Sequence, residues 1–245
     1  MWAMADSQTV VVGYLHSDLI TQEFHHCLFG FFIHDAWGPQ RLLNFAPQFS
    51  GANICKARNR MVDDFLANDR AEWLWIVDSD AVFAPDMLDN LLADAHPTER
   101  PIVGALAHQK RGQVDDNYKP VLDDHGLQVR QVQPTMYKTE WTADGDWVGY
   151  REVTSYRAGL NEVDATGCHC LLVHRSVFEA IKSDHPYRWF REDEIAPGII
   201  CGEDIWFCLE ARKLGFRIFV DTCLEAGHVK STLLTSEQSH VERVA

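Results

Sequence analysis

Three short apolar runs, each ended by polar residues, constrain this chain more than any other feature. Residues 9–15 (TVVVGYL), 72–77 (EWLWIV) and 101–106 (PIVGAL) are rich in β-branched and aromatic side chains and barely alternate with polar positions. A strand can be apolar at nearly every position only if both its faces are buried, as in a parallel sheet with helices on either side. Between the runs lie segments of helical spacing. Ile54, Arg58, Met61, Val62 and Phe65 recur three or four apart, with residues 50–53 (SGAN) as the helix start. Pro85-Asp86 opens a second helix that places Leu88, Leu91, Leu92 and Ala95 on one face. A further helix, of poor periodicity, is expected over 19–31. Strand, helix, strand, helix, strand in the first hundred residues predicts an α/β fold with a mostly parallel central sheet.

The pattern breaks over 108–162, a polar stretch with Gly112, Gly126, Gly145, Gly149 and Gly159 among the aromatics Tyr118, Tyr137, Trp141, Trp147, Tyr150 and Tyr156. Short strands are expected near 120–122 and 128–132, as a small antiparallel subsheet or a substrate-facing region. Order returns with a strand over 163–173. Gly167 within it marks a bulge or the close backbone approach of a ligand. A helix follows at 175–181, another starts at Gly202-Glu203-Asp204 and stops at Gly215, and a strand covers 216–220. No internal repeat and no second core is visible, so 1–245 reads as one domain with a polar tail over 231–245.

Of 245 residues, 36 are acidic and 22 basic, a formal charge of −14. That balance excludes a general basic nucleic-acid binder, and the 46% hydrophobic content excludes a disordered chain. No run approaches the ~20 apolar residues of a membrane-spanning helix. The start of the sequence has no basic stretch followed by an apolar one, so no signal peptide is expected. The seven cysteines form no CxxC pair, which predicts reduced thiols and a cytoplasmic protein. Read as a strand, Cys168-His169-Cys170 puts the two cysteines on one side and turns His169 away, so small buried hydrophobes are expected there rather than a zinc site.

The run 72–77 leads directly into Asp78-Ser79-Asp80. Two carboxylates one residue apart, at the carboxyl end of a parallel strand, sit where open α/β sheets bind ligands. A divalent cation neutralises such a pair, and hard oxygens suit Mg²⁺ or Mn²⁺ bridging to substrate phosphates. Taken alone, the same residues also fit a solvated turn.

Four segments in order go further. Ala57-Arg58-Asn59, the strand ending in Asp78-Ser79-Asp80, the stretch from Val163 through Gly167 to Arg175 and Phe178, and Gly202-Glu203-Asp204 before an amphipathic helix resemble the GT-A fold nucleotide-sugar glycosyltransferases, most closely the family-2-like enzymes of bacteria and phages. The likeness spans most of the chain and is weakest over 108–160. It implies a three-layer αβα sandwich with 1–107 as the nucleotide-binding half, 108–162 as a variable acceptor-facing insertion and 163–230 as the acceptor and catalytic half. It also implies metal-dependent transfer of a sugar from a nucleoside diphosphate sugar, UDP-sugar foremost, to a hydroxyl on a glycan, a protein or a modified DNA base. Phage origin would place that reaction in the host cytoplasm.

The implied metal ligands are Asp80, Asp78 and His228, the last expected just after a strand, and the metal is Mn²⁺ or Mg²⁺. The implied donor-binding residues are Asp78, Arg58, Asp18, His16 and Gly167. Arg58 would pair with a donor phosphate or with a nearby carboxylate, and His16 or Asp18 would meet the base. Asp204 would be the general base, with Glu203 able to exchange roles with it. A carboxylate at a helix N-terminus is stabilised in its charged form, so a low pKa is expected for Asp204. Two competing readings are a non-catalytic module that binds a nucleotide sugar or glycan, and a phosphatase with an aspartate nucleophile.

Overall fold

The computed structural model describes residues 8–113, 115, 119–124, 126–141, 147–153, 155–196 and 199–230. In chain order the elements are β1 (Val10–His16), α1 (Gln22–Trp37), β2 (Leu42–Phe49), α2 (Ile54–Leu66), β3 (Trp73–Asp78), β4 (Ala81–Val82), α3 (Met87–Asp94) and β5 (Ile102–Gly112). There follow β6 (Arg130–Pro134), β7 (Met136–Trp141), β8 (Trp147–Glu152), β9 (Leu160–Val163), β10 (Ala165–Thr166), β11 (Cys170–His174) and α4 (Arg175–Ala180). The last are β12 (Asp193–Ala196), β13 (Ile199–Cys201), α5 (Glu203–Lys213) and β14 (Ile218–His228).

Among the described residues, nine strands form the main sheet, in the order β2-β1-β3-β11-β5-β14-β4 with β6 on β5 and β9 on β14. β2, β1, β3, β5 and β14 all point one way, and β11 runs against its neighbours β3 and β5. A small antiparallel sheet, β10-β7-β8, is built largely from the polar insertion.

The apolar runs are explained by two cores, one on each face of the sheet. Along β3, Trp73, Trp75 and Val77 pack with Phe24 and Phe31 of α1 and with α3, while Leu74 and Ile76 pack with Met61, Val62 and Phe65 of α2 and with Phe178 and Phe207. Trp75 sits edge-on to Phe31 and Phe83, at 5.1 and 5.2 Å between centroids. Gly13 lets β1 lie against α2: a Cβ there would come 2.4 Å from Met61 Sδ. Asn53 caps α2 by accepting from the Lys56 N–H at 2.8 Å, where the sequence placed the helix start.

Four expectations need correction. β2 was not foreseen, because LLNFAPQF lacks a clean pattern; it is an edge strand, which tolerates Pro47. The first helix runs over 22–37 rather than 19–31, capped by Thr21, whose Oγ1 accepts from the Phe24 N–H. Residues 163–173 are not one strand. Ala165–Thr166 turns into the small sheet, residues 168–169 form a turn, and the main sheet resumes at Cys170. The last strand continues past 220 through an irregularity between Asp221 and Glu225, and His228 is its final residue rather than lying beyond it. Residues 231–245, Tyr118 and Gly145 lie outside the described residues.

Candidate metal and donor site

The carboxyl ends of β1, β3 and β14 meet the start of the reversed strand β11 at one edge of the sheet. Because β11 is antiparallel to β3 with Cys170 opposite Val77, the residue before it, His169, falls beside Asp78, and the Asp78 N–H donates to the His169 carbonyl at 3.0 Å. β14 pairs with β4 just past the Asp78-Ser79-Asp80 turn, and the Val229 N–H donates to the Asp80 carbonyl at 2.9 Å. Thr21 fastens the start of α1 to the same turn through the Ser79 carbonyl.

This register brings Asp80, His169 and His228 together, with one ligand atom from each lying within 4.8 Å of the others. The backbone fixes the role of each ring nitrogen. His169 Nε2 lies 2.9 Å from the Gly227 carbonyl and His228 Nδ1 lies 3.0 Å from the His108 carbonyl, so each of these nitrogens carries a proton and donates it. The remaining nitrogens face carboxylates. His228 Nε2 is 3.0 Å from Asp80 Oδ2, and His169 Nδ1 is 3.4 Å from Asp78 Oδ2 and 3.9 Å from Asp80 Oδ1. Without a metal, a proton on each of these nitrogens bridges the ring to its carboxylate, and a divalent cation can take that proton's place between the same atoms. The donor set of one carboxylate and two backbone-oriented imidazoles therefore fits a divalent transition metal, and the second hydrogen bond of each ring is the usual support of a metal-ligating histidine.

Without the ion, those bridging protons shape the charges at the site. Burial opposes the charge on Asp80, but the hydrogen bonds to His228 and Lys230 outweigh it and hold the carboxyl well below its usual range. Asp78 is likewise held down against burial, by His169 and then Arg58. Burial alone would lower His169, yet its bond to Asp78 raises it.

Behind this group lies a second one. Arg58, on α2 and 4% exposed at its side chain, places Nη2 3.2 Å from Asp78 Oδ1 and Nη1 3.1 Å from Glu203 Oε1. The guanidinium bridges the metal-side turn to the start of α5, so of the two expected partners the carboxylates hold it. Neither its Nε nor its Nη1 makes a hydrogen bond, so the contact with Glu203 is an ion pair alone. Glu203 is committed to that bridge. Asp204, beside it, accepts from the Ile205 N–H at 2.7 Å and faces Gly167, where an added Cβ would come 3.5 Å from Asp204 Oδ2. The expectation of a low pKa fails here. Burial, reinforced by the charge of Glu203, pushes the Asp204 carboxyl up to about 6, and neither the helix terminus nor Arg58 offsets it.

A cleft of about 510 Å³ opens over the metal-side group, lined by Leu15, His16, Thr21, Ser50, Asp78 and Asp80 among others. His16 stands at its wall, edge-on to Phe49 at 6.0 Å. Asp18 is exposed and outside the lining, so the structure does not bring it to the site.

Two residues escaped the sequence reading. A continuous strand turns His169 away from the site. In the structure it lies in a turn and is 4% exposed, while Cys168 and Cys170 belong to opposite cores. The signal was its place just after Gly167, where strand alternation does not hold. Lys230, two residues beyond His228, places Nζ 2.9 Å from Asp80 Oδ2.

No family model matches the sequence, and no curated protein matches it. Solved structures do. The crystal structure of A197 from STIV matches with a TM-score of 0.53 at 14% identity, covering 97% of this chain and 98% of that one. The crystal structure of GalNAc-T7 with UDP, GalNAc and Mn²⁺ matches with a TM-score of 0.54 at 12% identity, covering 91% of this chain, which spans 43% of that one. No helix among the described residues is long and apolar enough to cross a membrane. At these identities the likeness speaks for architecture: a GT-A-like, Rossmann-type α/β fold with a large, mostly parallel central sheet and small antiparallel sheets beside it.

Proposed function

We propose that this chain is a metal-dependent glycosyltransferase that moves a sugar from a nucleoside diphosphate sugar, UDP-sugar foremost, to an acceptor hydroxyl. The observation that carries the reading is the convergence of Asp80, His169 and His228 at the sheet edge under an open cleft. The solved relative that holds UDP and Mn²⁺ has the same fold.

On this reading Asp80, His169 and His228 would hold Mn²⁺ or a similar ion, which would supply positive charge for a departing diphosphate. Asp78, fixed by Arg58 and His169, orients the donor from the floor of the cleft. His16 borders the part of the cleft that receives the base. Asp204 takes the acceptor proton. A base whose pKa stands near 6 is ionised at neutral pH yet retains more proton affinity than an ordinary aspartate. Glu203 keeps Arg58 in place rather than exchanging roles with Asp204. Residues 1–107 and 163–230 act together as one catalytic unit, and the insertion faces the acceptor.

The test is a panel of nucleotide sugars incubated with the protein and Mn²⁺, with sugar release or transfer followed by NMR. Turnover of one donor that stops on chelation is expected. Donor binding with no turnover under any acceptor would favour the non-catalytic module, and turnover unaffected by chelation would remove the metal from the scheme.

A further inference from the structure

We propose that Lys230 is an internal cation that holds Asp80 until a metal ion arrives and then transfers to the diphosphate of the nucleotide. The proposal rests on the metal and donor reading above and adds to it a residue and an order of events.

Asp80 Oδ2 is contacted twice, by His228 Nε2 at 3.0 Å and by Lys230 Nζ at 2.9 Å. His228 is anchored through Nδ1 to the His108 carbonyl, and the ammonium of Lys230 is the permanent positive charge at that oxygen. A dication held by Asp80, His169 and His228 takes over that role at the same oxygen. Two positive charges within one hydrogen-bond length of a single carboxylate oxygen repel each other, so metal and ammonium compete for it.

Lys230 is free to leave. Its side chain is 44% exposed, and among the described residues its ammonium has no other hydrogen bond or ion pair. It stands on the wall between the donor cleft and a neighbouring cleft of about 550 Å³. Its flexible four-carbon stem lets the ammonium turn into either. Charge selects the donor cleft. Among the described residues lining that cleft, Lys230 is the only lysine or arginine. A nucleoside diphosphate carries more negative charge than one dication cancels. The ammonium that metal displaces from Asp80 is the positive group available to meet the rest. Metal and nucleotide then favour each other's binding, and the coupling is reciprocal.

The experiment measures Mn²⁺ binding by loss of the free-ion EPR signal, with and without UDP, and UDP binding by calorimetry at saturating Mn²⁺. It compares wild type with Lys230→Gln, Lys230→Arg and Asp80→Asn. Lys230→Gln is expected to bind Mn²⁺ alone roughly three- to tenfold more tightly and UDP roughly tenfold more weakly. Lys230→Arg should keep UDP affinity near that of wild type. The opposite signs in one variant are what a merely structural role does not produce. Unchanged or weaker Mn²⁺ binding in Lys230→Gln, or unchanged UDP binding, overturns the role of Lys230 while leaving the metal centre standing, provided Asp80→Asn loses the ion. If wild type binds no Mn²⁺ with or without UDP, the metal reading falls and this proposal falls with it.

Discussion

Replacing Asp204 with Asn should stabilise the fold while it abolishes transfer. The carboxyl stands at about 6 in the folded chain against an ordinary 3.8. Burial is the main cause and the neighbouring Glu203 charge the second. Across a window from about pH 4 to about pH 6 the folded chain keeps a proton that the unfolded chain has released. Stability therefore falls as pH rises through that window and is level above it. Two units at ~1.4 kcal/mol each put the cost at neutral pH near 3 kcal/mol. Asn resembles the protonated acid in shape and in lacking charge. It keeps an oxygen for the Ile205 N–H, but its amide needs a partner of its own, so a net gain of about 1–3 kcal/mol is expected at pH 8. For a chain of this length that is a rise in Tm of roughly 2–10 °C. Urea unfolding of both proteins at pH 8, 5 and 4 measures it. The gain should roughly halve by pH 5 and vanish near pH 4. A variant that is less stable at pH 8, or equally stabilised at every pH, would mean that Asp204 is not a desolvated carboxylate, and its assignment as the base would lose its physical ground.

Three further outcomes follow from the same geometry. His169→Asn should weaken Mn²⁺ binding at least ~10-fold by EPR titration while the fold persists by circular dichroism, and unchanged affinity removes His169 from the metal set. Arg58→Met leaves Asp78 and Glu203 as like charges around a vacated buried position, at a cost of about 3 kcal/mol in urea unfolding. Adding Glu203→Gln should return part of it, and no recovery in the double variant argues against the bridge. With a donor in hand, kcat/KM should fall about tenfold per pH unit below the Asp204 value near 6, because only the ionised carboxylate accepts the acceptor proton. A profile flat down to pH 5 would rule out this base.

The sequence alone determined β1 and β3, two of the four strands that carry the site. An unbroken run such as EWLWIV is stable only with both faces covered, and Asp78 and Asp80 then fall at the edge of the sheet because the polar residues begin where burial stops. The start of α2 at Asn53 and of α5 at Glu203 was legible for a similar reason: caps and breakers act within a few residues. The register of distant strands was decided only in three dimensions. His169 joins Asp80 because β11 runs antiparallel between β3 and β5, an arrangement set by pairing across roughly ninety residues of chain that leaves no local pattern. Arg58 faces two carboxylates rather than solvent for the same reason, since Asp78 and Glu203 come from elements far apart in the chain. The raised pKa of Asp204 is not legible in the sequence because helix position is local, whereas desolvation depends on what the rest of the chain packs around the carboxyl. Local chemistry chose the residues, and long-range packing chose their partners and their charge.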